Sequence, residues 1–595
     1  MIAAEPGSPP AAYPPPPQPV KTRFLVGAHN CPLWEADSPH MWDQVLKHPE
    51  RTPLLGFYDQ AIPEVADWET KWAVEHGIDF FVYCWYRAGK GNDVQTRYSS
   101  AIDAFLKSRF AADFKFTIMW ENQARDATWG ISGVTGAADL HTRLFPFWLT
   151  NYFEHPSYLK IDNRPVLFIY DARQLARDLG GVGNVAPAFA QMRTAARQAG
   201  FAGLYLLGEY RGLDPNELRV RKAMGFDYTF AYVWPVSQPG RAVAQQLDFI
   251  RQTRDLAILP QVITVSQGWS GWRDEGPLYK IPPPEFEDLL RQARDLAAAQ
   301  PTDELGSRLL LLDNWNEWSE GHYLAPHREF GFGYLDAVRK VFSDAPTQHT
   351  DLVPEAIGRG PFDQAYQAHR QREQDQQRLL ATKVLKPGAA DSGLIGWWAF
   401  DEELGAAVAL DYSGHQRGGL LHSATRAPGR DGNALVCNGG CVVVPSQPAL
   451  SPTNALSILC WVKTDEPGQD NKWLVNRVKG GGEATGYRLG LMGGRPCFEV
   501  PLTSWSHHLQ ADLPLPASRW VHLAGTFDGR VMRLYVDGTL HGELARPGPI
   551  KPNDFSLILG SYEEDHPAGF HGLLDEVKLY HRALSAEEIR AQAGP

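Results

Sequence analysis

The feature that most constrains the fold of this chain is a repeated pattern between Phe24 and about Phe342. In this pattern, short apolar runs alternate with longer amphipathic stretches. The apolar runs are rich in β-branched and aromatic residues, whereas the stretches between them repeat with helical spacing. The strand candidates are residues 24–30, 78–86, 114–122, 164–171, 203–210, 227–234, 260–269 and 308–318. Eight strands separated by helices predict a (β/α)₈ TIM barrel. A doubly wound sheet is disfavoured, because no GxGxxG or GxxxxGK[ST] loop follows any of these runs.

The pattern changes after the predicted barrel. Residues 350–392 contain a highly charged helix candidate and a flexible joint, and from Leu394 short alternating strands are separated by Gly, Asp and Pro turns. This second pattern is typical of an all-β sandwich. The sequence therefore predicts a disordered Pro-rich linker at 1–22, a barrel at 23–349, a charged helix and linker at 350–392, and a sandwich at 393–595.

The amino-acid composition limits the classes of molecule that this protein is expected to bind. A formal net charge of −12 over 595 residues disfavours a phosphate-binding surface, so nucleic acid is not expected as a partner. No stretch approaches the ~20 apolar residues that a membrane span requires. The 19 Trp and 21 Tyr residues suit the stacking of aromatic rings on sugars, although packing in a β-rich core is the alternative explanation for many of them.

The N-terminus and the cysteines do not determine the cellular compartment of the protein. The first 20 residues, MIAAEPGSPPAAYPPPPQPV, lack a basic segment followed by an apolar one, so they form no intact signal peptide and read as an extended linker. Six cysteines permit disulfides without requiring them, since buried thiols are the alternative.

The segment DNWNEWSEGHYLAP (313–326) carries the most specific chemical signal. Its strand ends in Glu317 and Glu320, three positions apart among tryptophans. Glycosidic cleavage uses a pair of carboxyl groups, and closely placed carboxyls in a desolvated setting acquire different pKa values. The alternative is an ordinary helix-start turn, where acidic residues favour the helix dipole.

In a TIM barrel the active site lies at the carboxyl ends of the strands, so polar and aromatic residues there are candidate substrate contacts. Some of these residues also have another explanation. Glu121 and Glu209 could instead form ion pairs with Arg125 and Arg211, respectively. His29 could have a structural role, and the tryptophans after strand seven could pack in the core. The candidates are His29, Asn30, Trp85, Tyr86, Glu121, Asn122, Glu209, Tyr210, Trp234, Trp269, Trp272, Asn314, Trp315, Asn316, Trp318 and Tyr323.

The segment NWNEWSEGHYL resembles the terminal motif NEW[HA]EG of glycoside hydrolase family 99 and the WbsX-like group, and similar matches lie at 56–86, 155–171 and 333–342. The resemblance implies a retaining, endo-acting α-mannosidase or a related α-glycosidase that needs no cofactor for catalysis. It assigns Glu320 as the general acid/base, and Glu317 as the group that helps the substrate's 2-hydroxyl to act as internal nucleophile. This chain departs from the common YLEPD continuation, because residues 323–327 read YLAPH.

The second domain resembles a laminin-G or concanavalin A-like jelly roll, through GLIGWWAFDEE (393–403), WVHLAGTFDGRVMRLYVDGTL (520–540) and GLLDEVKLYHRALSAEEI (572–589). The resemblance implies a carbohydrate-binding role. It also places Asp401 and Asp575 near a frequent calcium position, although two acids in sequence do not by themselves make a structural Ca²⁺ site.

Three functional classes are compatible with these motifs. We expect a glycoside hydrolase that degrades polysaccharide or glycan and is secreted, periplasmic or located at the cell surface. The alternatives are a glycosyltransferase of the WbsX-like type in surface polysaccharide synthesis, and a carbohydrate-binding protein without catalysis. A transferase is disfavoured because no DxD-type diphosphate site stands out, and pure binding because two adjacent carboxyl groups would then be unnecessary.

Overall fold

The computed structural model describes residues 13–89, 93–123, 130–271, 278–346, 349–478, 485–502, 508–563 and 569–594. The chain divides into two compact units, Met1–His369 and Arg370–Pro595. The border between them falls inside the predicted 350–392 linker, and the finer domain limits given above stay predictions.

The first unit is built around a barrel-like sheet of eight parallel strands. They are β1 Leu25–Asn30, β2 Phe80–Ala88, β3 Lys115–Trp120, β4 Arg164–Ile169, β5 Tyr205–Glu209, β6 Tyr228–Phe230, β7 Ile263–Val265 and β8 Leu309–Asn314. The strand order is β6-β5-β4-β3-β2-β1-β8-β7, and a single parallel bridge between Thr229 and Gln261 links its two ends. Every predicted strand segment overlaps one of these strands, so the mixed α/β fold with eight parallel strands is confirmed.

Helices follow the strands, as the amphipathic stretches predict. Their bounds are Met41–Leu46, Pro63–Glu75, Ser100–Lys107, Ala137–Asp139, Phe145–Trp148, Ala172–Asp178, Val185–Gln198, Pro215–Met224, Ala242–Asp255, Pro283–Ala298 and Gly333–Phe342, with π-helical turns at Leu140–Leu144 and Leu149–Phe153. Helix Pro215–Met224 shows why such stretches begin and end where they do. The Asp214 side chain accepts a hydrogen bond from a backbone N–H of the first turn, and Gly225 ends the helix in the left-handed conformation.

The second unit contains two antiparallel sheets, as its alternating pattern predicts, and a helix at Ala586–Ala593. One sheet comprises Leu394–Trp398, Thr425–Pro428, Asn433–Val436, Leu456–Lys463, Val521–Phe527, Val531–Val536, Thr539–Ala545 and Leu573–Tyr580. The other comprises Val408–Ala409, Gly419–His422, Cys441–Val444, Lys472–Asn476, Arg488–Met492, Arg495–Glu499, His508–Gln510 and Leu557–Leu559. Apolar side chains from both sheets, such as Val442 and Leu523, share one core. Helix Gln364–Leu380 crosses the border between the units.

Two further expectations can be compared with the structure. None of the helices in the described ranges has the length and apolar character needed to cross a bilayer. All six cysteine side chains are buried, which agrees with the interpretation of these residues as part of the two cores.

Candidate active site

The Glu317/Glu320 segment folds as a tight hairpin directly after β8. Asn316–Glu317 pairs antiparallel with His322–Tyr323, and Glu320 lies in the turn between these two short strands. Gly321 makes the turn possible: its φ is +72°, and a Cβ at this position would lie 2.2 Å from the Ser270 hydroxyl oxygen. The hairpin thereby brings the two carboxyl groups to the same side of the barrel.

Both glutamates line one pocket at the carboxyl ends of the strands. The other lining residues follow the alternation of the parallel strands, in which every second side chain faces the interior. Thus Cys84 and Tyr86 face the pocket from β2, whereas Trp85 between them points the other way. The full lining is Leu33, Cys84, Tyr86, Met119, Glu121, Gln123, Ile131, Tyr170, Tyr232, Glu317 and Glu320.

Glu317 is the more deeply placed of the two carboxyl groups, with 4% of its surface exposed. The Tyr232 hydroxyl donates a hydrogen bond of 2.9 Å to Glu317 Oε2, and the Ser319 hydroxyl lies 3.4 Å from Oε1. Burial and the nearby charge of Glu320 raise the pKa of Glu317 above the usual range of a glutamate. Glu317 therefore retains a proton to higher pH than an exposed carboxyl group would.

Glu320 has a different environment, because it faces a buried imidazole. His322 Nδ1 lies 2.8 Å from Asp313 Oδ1, and Nε2 lies 3.4 Å from Glu320 Oε2, a distance that suits an ion pair better than a hydrogen bond. Burial alone would lower the pKa of His322, but Asp313 and Glu320 raise it to about 10. His322 is thus a cation at neutral pH, held between two carboxylates.

The two glutamates consequently form an unequal pair. One carboxyl group is desolvated beside a tyrosine, and the other is half-buried beside an imidazolium. The raised pKa of Glu317 lets this carboxyl group keep a proton at a pH at which an exposed carboxyl group is ionised, and two carboxyl groups in unlike surroundings are what general acid and base catalysis at one site requires.

Four of the predicted contacts belong to this site. Tyr86 and Glu121 line the pocket. The Trp269 indole N–H donates to Glu320 Oε2 at 3.3 Å, and Asn314 Oδ1 accepts from the Tyr232 hydroxyl at 3.4 Å.

Four tryptophans that the sequence predicted as substrate contacts are instead buried inside the protein. Each ring is at least 99% buried, and its indole N–H donates to a protein oxygen. The pairs are Trp85 with the Tyr152 hydroxyl, Trp234 with the Thr264 carbonyl, Trp315 with the Glu69 carboxylate and Trp318 with the Tyr58 hydroxyl. These rings support the walls of the site, and the structure does not place them in the pocket lining.

Several predicted polar residues also make internal contacts. Asn30 accepts from the Asn316 amide, and the Asn122 side chain bridges to the backbone of Asp171. His29 is fully buried, stacks on Phe230, and burial lowers its pKa to about 4. The His29 ring also meets the Tyr232 ring edge-on at 5.2 Å between centroids, so His29 packs against the pocket lining without belonging to it.

The remaining predicted contacts are not among the described residues that line the pocket. Glu209 pairs with Arg211 at 2.6 Å, which is the alternative named from the sequence. Tyr210 stacks under the Arg221 guanidinium, and Tyr323 packs against Trp318. Trp272 lies outside the described residues.

Sequence reasoning missed Tyr232, Cys84 and His322. The first two could have been found from strand alternation, because Tyr232 has the same parity as Phe230 in β6 and Cys84 the same parity as Tyr86 in β2. His322 carries no comparable signal: only the hairpin brings it back beside Asp313 and Glu320.

The two acids suggested for calcium in the second unit have other partners. Asp401 Oδ2 lies 2.6 Å from Lys386 Nζ, and Asp575 Oδ2 accepts from the backbone N–H of Arg430 at 2.7 Å. Within the described ranges neither acid belongs to a cluster of three possible ligands. A calcium site here stays a prediction.

Comparison with known proteins indicates a family for each of the two units. The family model described as "Glycosyltransferase WbsX" matches residues 46–266 and 275–338. The first unit matches the WbsX family. The model of the "Concanavalin A-like lectin/glucanases superfamily" matches residues 438–590 of the second unit. Both family resemblances inferred from the sequence are thus confirmed, and the WbsX match supports a carbohydrate-active enzyme.

Individual relatives are more distant. "Uncharacterized protein WxcX" of Xanthomonas campestris pv. campestris (strain ATCC 33913) is 26% identical over 325 residues, which are 50% of this chain and 44% of the relative. The chain thus matches less than half of the length of this relative. "Adhesion G-protein coupled receptor D1" of Homo sapiens is 25% identical over 26% of this chain and 17% of its own length.

Among solved structures, domain 4 of AbnA, a GH43 extracellular arabinanase from Geobacillus stearothermophilus in complex with arabinotriose, covers 34% of this chain and 98% of its own. Its TM-score is 0.28 and its sequence identity 21%. The binding domain of Paraclostridial Mosquitocidal Protein 1 covers 34% of this chain and 52% of its own, with a TM-score of 0.29 and 16% identity.

Proposed function

We propose that the first unit is a glycoside hydrolase on a (β/α)₈ barrel that cleaves an α-linked polysaccharide or glycan with retention of configuration. The observation that carries the proposal is the pairing of Glu317 and Glu320 in one pocket with unlike surroundings. Glycosidic cleavage needs one carboxyl group that donates a proton and one that accepts a proton, and two carboxyl groups in one pocket can fill these two roles.

The family resemblance supplies the roles. Glu317 takes the proton of the substrate's 2-hydroxyl while that oxygen attacks the anomeric carbon, and Glu320 gives its proton to the departing glycosidic oxygen. Water then opens the resulting 1,2-anhydro sugar: Glu320 takes a proton from the water, and Glu317 returns its proton to the 2-oxygen. Two inversions give net retention, and no cofactor is consumed.

The surroundings of Glu317 and those of Glu320 do not support their assigned roles equally. A base whose pKa is raised towards neutrality is well matched to removing a hydroxyl proton, which suits Glu317. Glu320, which the resemblance assigns as the proton donor, instead faces the cationic ring of His322 at 3.4 Å. The electrostatics of the pocket without substrate would instead assign the acid role to Glu317.

Kinetics of two variants separate these assignments. We expect Glu320→Gln to lower kcat on polysaccharide by about 10²–10⁴-fold, and to lower it much less on aryl glycosides with good leaving groups. Glu317→Gln should impair both substrates alike. The opposite pattern would assign the acid role to Glu317, and unchanged kcat in both variants would contradict the site. The exposed Glu285 provides the matched control, Glu285→Gln.

The substrate is found by a direct screen. The purified full chain is incubated with α-mannans and with other bacterial and algal polysaccharides, and product masses and anomeric configuration are recorded by mass spectrometry and NMR. A first-formed product of inverted configuration would contradict retention. A 2-deoxy substrate that binds and is cleaved at the normal rate would contradict attack by the 2-hydroxyl.

The second unit is proposed to hold the polymer. One face of its sandwich has a polar pocket that contains Trp461, with the Arg430 guanidinium 4.3 Å from the ring centroid and His522 beside it. An aromatic ring among charged groups suits a sugar. Trp461→Ala should weaken binding of the polysaccharide found in the screen without changing cleavage of short substrates. A secreted, periplasmic or cell-surface location follows from this proposal.

A glycosyltransferase is the second candidate, since the matching family model is described by that name. A transferase would release a nucleoside diphosphate from a nucleotide sugar and would extend a glycan acceptor. A hydrolase shortens the polymer in the absence of any donor. Both reactions are measured on the same preparation, and donor-dependent growth without hydrolysis would replace the hydrolase proposal.

A further inference from the structure

A second cluster of ionisable side chains lies at the opposite end of β2 from the pocket. It consists of His76, which follows helix Pro63–Glu75 and precedes β2, together with His349 and Asp351. One ligand atom of each, the Nε2 atoms of the two histidines and a carboxylate oxygen of Asp351, lies within 4.8 Å of the other two. Nothing in the proposed hydrolase mechanism uses these residues.

The hydrogen bond of His76 fixes its tautomer. His76 Nδ1 lies 2.6 Å from the Trp72 carbonyl oxygen, and since a carbonyl only accepts, Nδ1 must carry the proton. The Nε2 atom of the neutral ring then presents a lone pair. The His76 side chain is fully buried, so water does not reach this lone pair. This arrangement is typical of metal-binding histidines, whose second nitrogen donates to a carbonyl or carboxylate.

The atoms opposite this lone pair are acceptors. Asp351 Oδ1 lies 3.3 Å from His76 Nε2 and 3.4 Å from His349 Nε2, and none of the three atoms has a hydrogen-bond partner in the described ranges. A proton on Asp351 would satisfy only one of the two nitrogens. A cation bound between the three would satisfy all of them.

The distances suit a metal ion. Four ligands at about 2.1 Å in a tetrahedron lie about 3.4 Å from one another, and Zn–N and Zn–O bonds have this length. Glu75 Oε2 lies 3.4 Å from His349 Nε2, while Glu75 Oε1 accepts from Lys71 at 2.5 Å. The lysine therefore holds Glu75 with its second oxygen towards the cluster, in a position to add a fourth ligand.

We propose that His76, His349 and Asp351 form a binding site for a divalent transition-metal ion with the ligand preference of Zn²⁺. Two imidazole nitrogens favour such an ion over Mg²⁺ or Ca²⁺, which prefer oxygen ligands. The ion would tie the segment after helix Gly333–Phe342 to the end of helix Pro63–Glu75. Its role is structural, because the cluster lies at the amino end of β2, away from the pocket.

Metal binding to the full chain tests this site directly. Protein stripped with a chelator is titrated with Zn²⁺ in competition with a chromophoric chelator, and bound metal is counted by mass spectrometry. We expect one Zn²⁺ per chain, with affinity at least about 10-fold lower in both His349→Ala and Asp351→Asn. Both residues are partly exposed, so these variants are chosen over changes at the fully buried His76. The exposed His40 provides the control, His40→Ala, which should bind like wild type.

Thermal unfolding gives a second readout that does not involve activity. Zn²⁺ should raise the Tm of wild type and of His40→Ala, because the ion binds the folded state, and should leave the Tm of His349→Ala and Asp351→Asn unchanged. Absence of tight Zn²⁺ binding by wild type would overturn the proposal. Equal affinity in all four proteins would do the same, since the ion would then bind elsewhere.

Discussion

Two buried histidine clusters at opposite ends of β2 use the same residue types to opposite effect. At the carboxyl end, both nitrogens of His322 face carboxylates, Asp313 and Glu320, so the ring is a cation and its charge is balanced within the protein. At the amino end, the Trp72 carbonyl fixes the proton of His76 on one nitrogen, and the other nitrogen faces Asp351 as a lone pair.

The difference shows that the partner of Nδ1 decides what a buried imidazole can do. A carboxylate there favours the imidazolium and adds a positive charge to the site. A backbone carbonyl there fixes the neutral tautomer and leaves an acceptor that needs a cation from outside. The residue names alone would not distinguish the two clusters.

Substitution of His322 and substitution of His349 should lower the free energy of unfolding by different amounts. His322→Gln leaves Asp313 buried without its charged partner, so we expect a loss of about 3–5 kcal/mol in the free energy of unfolding. His349→Gln should cost less than about 1 kcal/mol in metal-free buffer, because the His349 side chain is partly exposed and solvent screens its contacts with Glu75 and Asp351. Urea unfolding of both variants measures the contrast. If His322→Gln/Asp313→Asn recovers none of the loss, the buried ion pair is not its cause.

The charge of His322 also predicts a dependence of stability on pH. Its folded pKa of about 10 is raised above the unfolded value of 6.5, so the stabilisation is complete below pH 6.5 and is lost as pH rises towards 10. The expected slope is at most about 1.4 kcal/mol per pH unit. The free energy of unfolding of wild type minus that of His322→Gln, measured from pH 6 to 10, should fall along this window. A constant difference would show that His322 is neutral.

A smaller effect is expected on catalysis. The imidazolium of His322 favours ionised Glu317, so its removal should raise the pKa of Glu317 further. The proton of the glutamate pair is then lost at higher pH, and the alkaline limb of the kcat/KM profile should move upward by up to about one pH unit. The profile of folded His322→Gln, measured on the best substrate of the screen, checks this. A shift to lower pH would contradict the direction of the coupling.

His29 is a further buried histidine of the first unit, and its substitution should have the smallest effect. Neither ring nitrogen has a hydrogen-bond partner in the described ranges, and the ring packs among aromatic side chains. His29→Leu should therefore change the free energy of unfolding by less than about 1 kcal/mol and kcat by less than about 2-fold. A 100-fold fall in kcat with normal stability would instead make His29 a substrate contact.

The sequence predicted the eight strands and several helices because periodicity is a local property. It predicted the Glu317/Glu320 pair because both residues lie in one short motif. It predicted the pocket walls less well, since a position near the end of a strand does not by itself place a side chain in the pocket unless the alternation along the strand is also followed: Trp85 and Trp315 point outward, whereas Tyr232 faces the pocket. The contacts of His76 with Asp351 join positions that only the closed fold brings together.

The single bridge between Thr229 and Gln261 gives the barrel-like sheet a weak seam. Two backbone hydrogen bonds cross it, from the Thr229 N–H to Pro260 and from the Val262 N–H to Thr229, whereas β2 and β3 pair over six residues. With fewer backbone hydrogen bonds, this edge should be easier to separate than the β2–β3 pair, so amide hydrogens there should exchange with deuterium ahead of those of β2. Tyr232 lies two residues beyond β6, so we expect opening of the seam to lengthen the hydrogen bond from its hydroxyl to Glu317. Motion at one edge of the sheet would in this way reach a carboxyl group of the pocket.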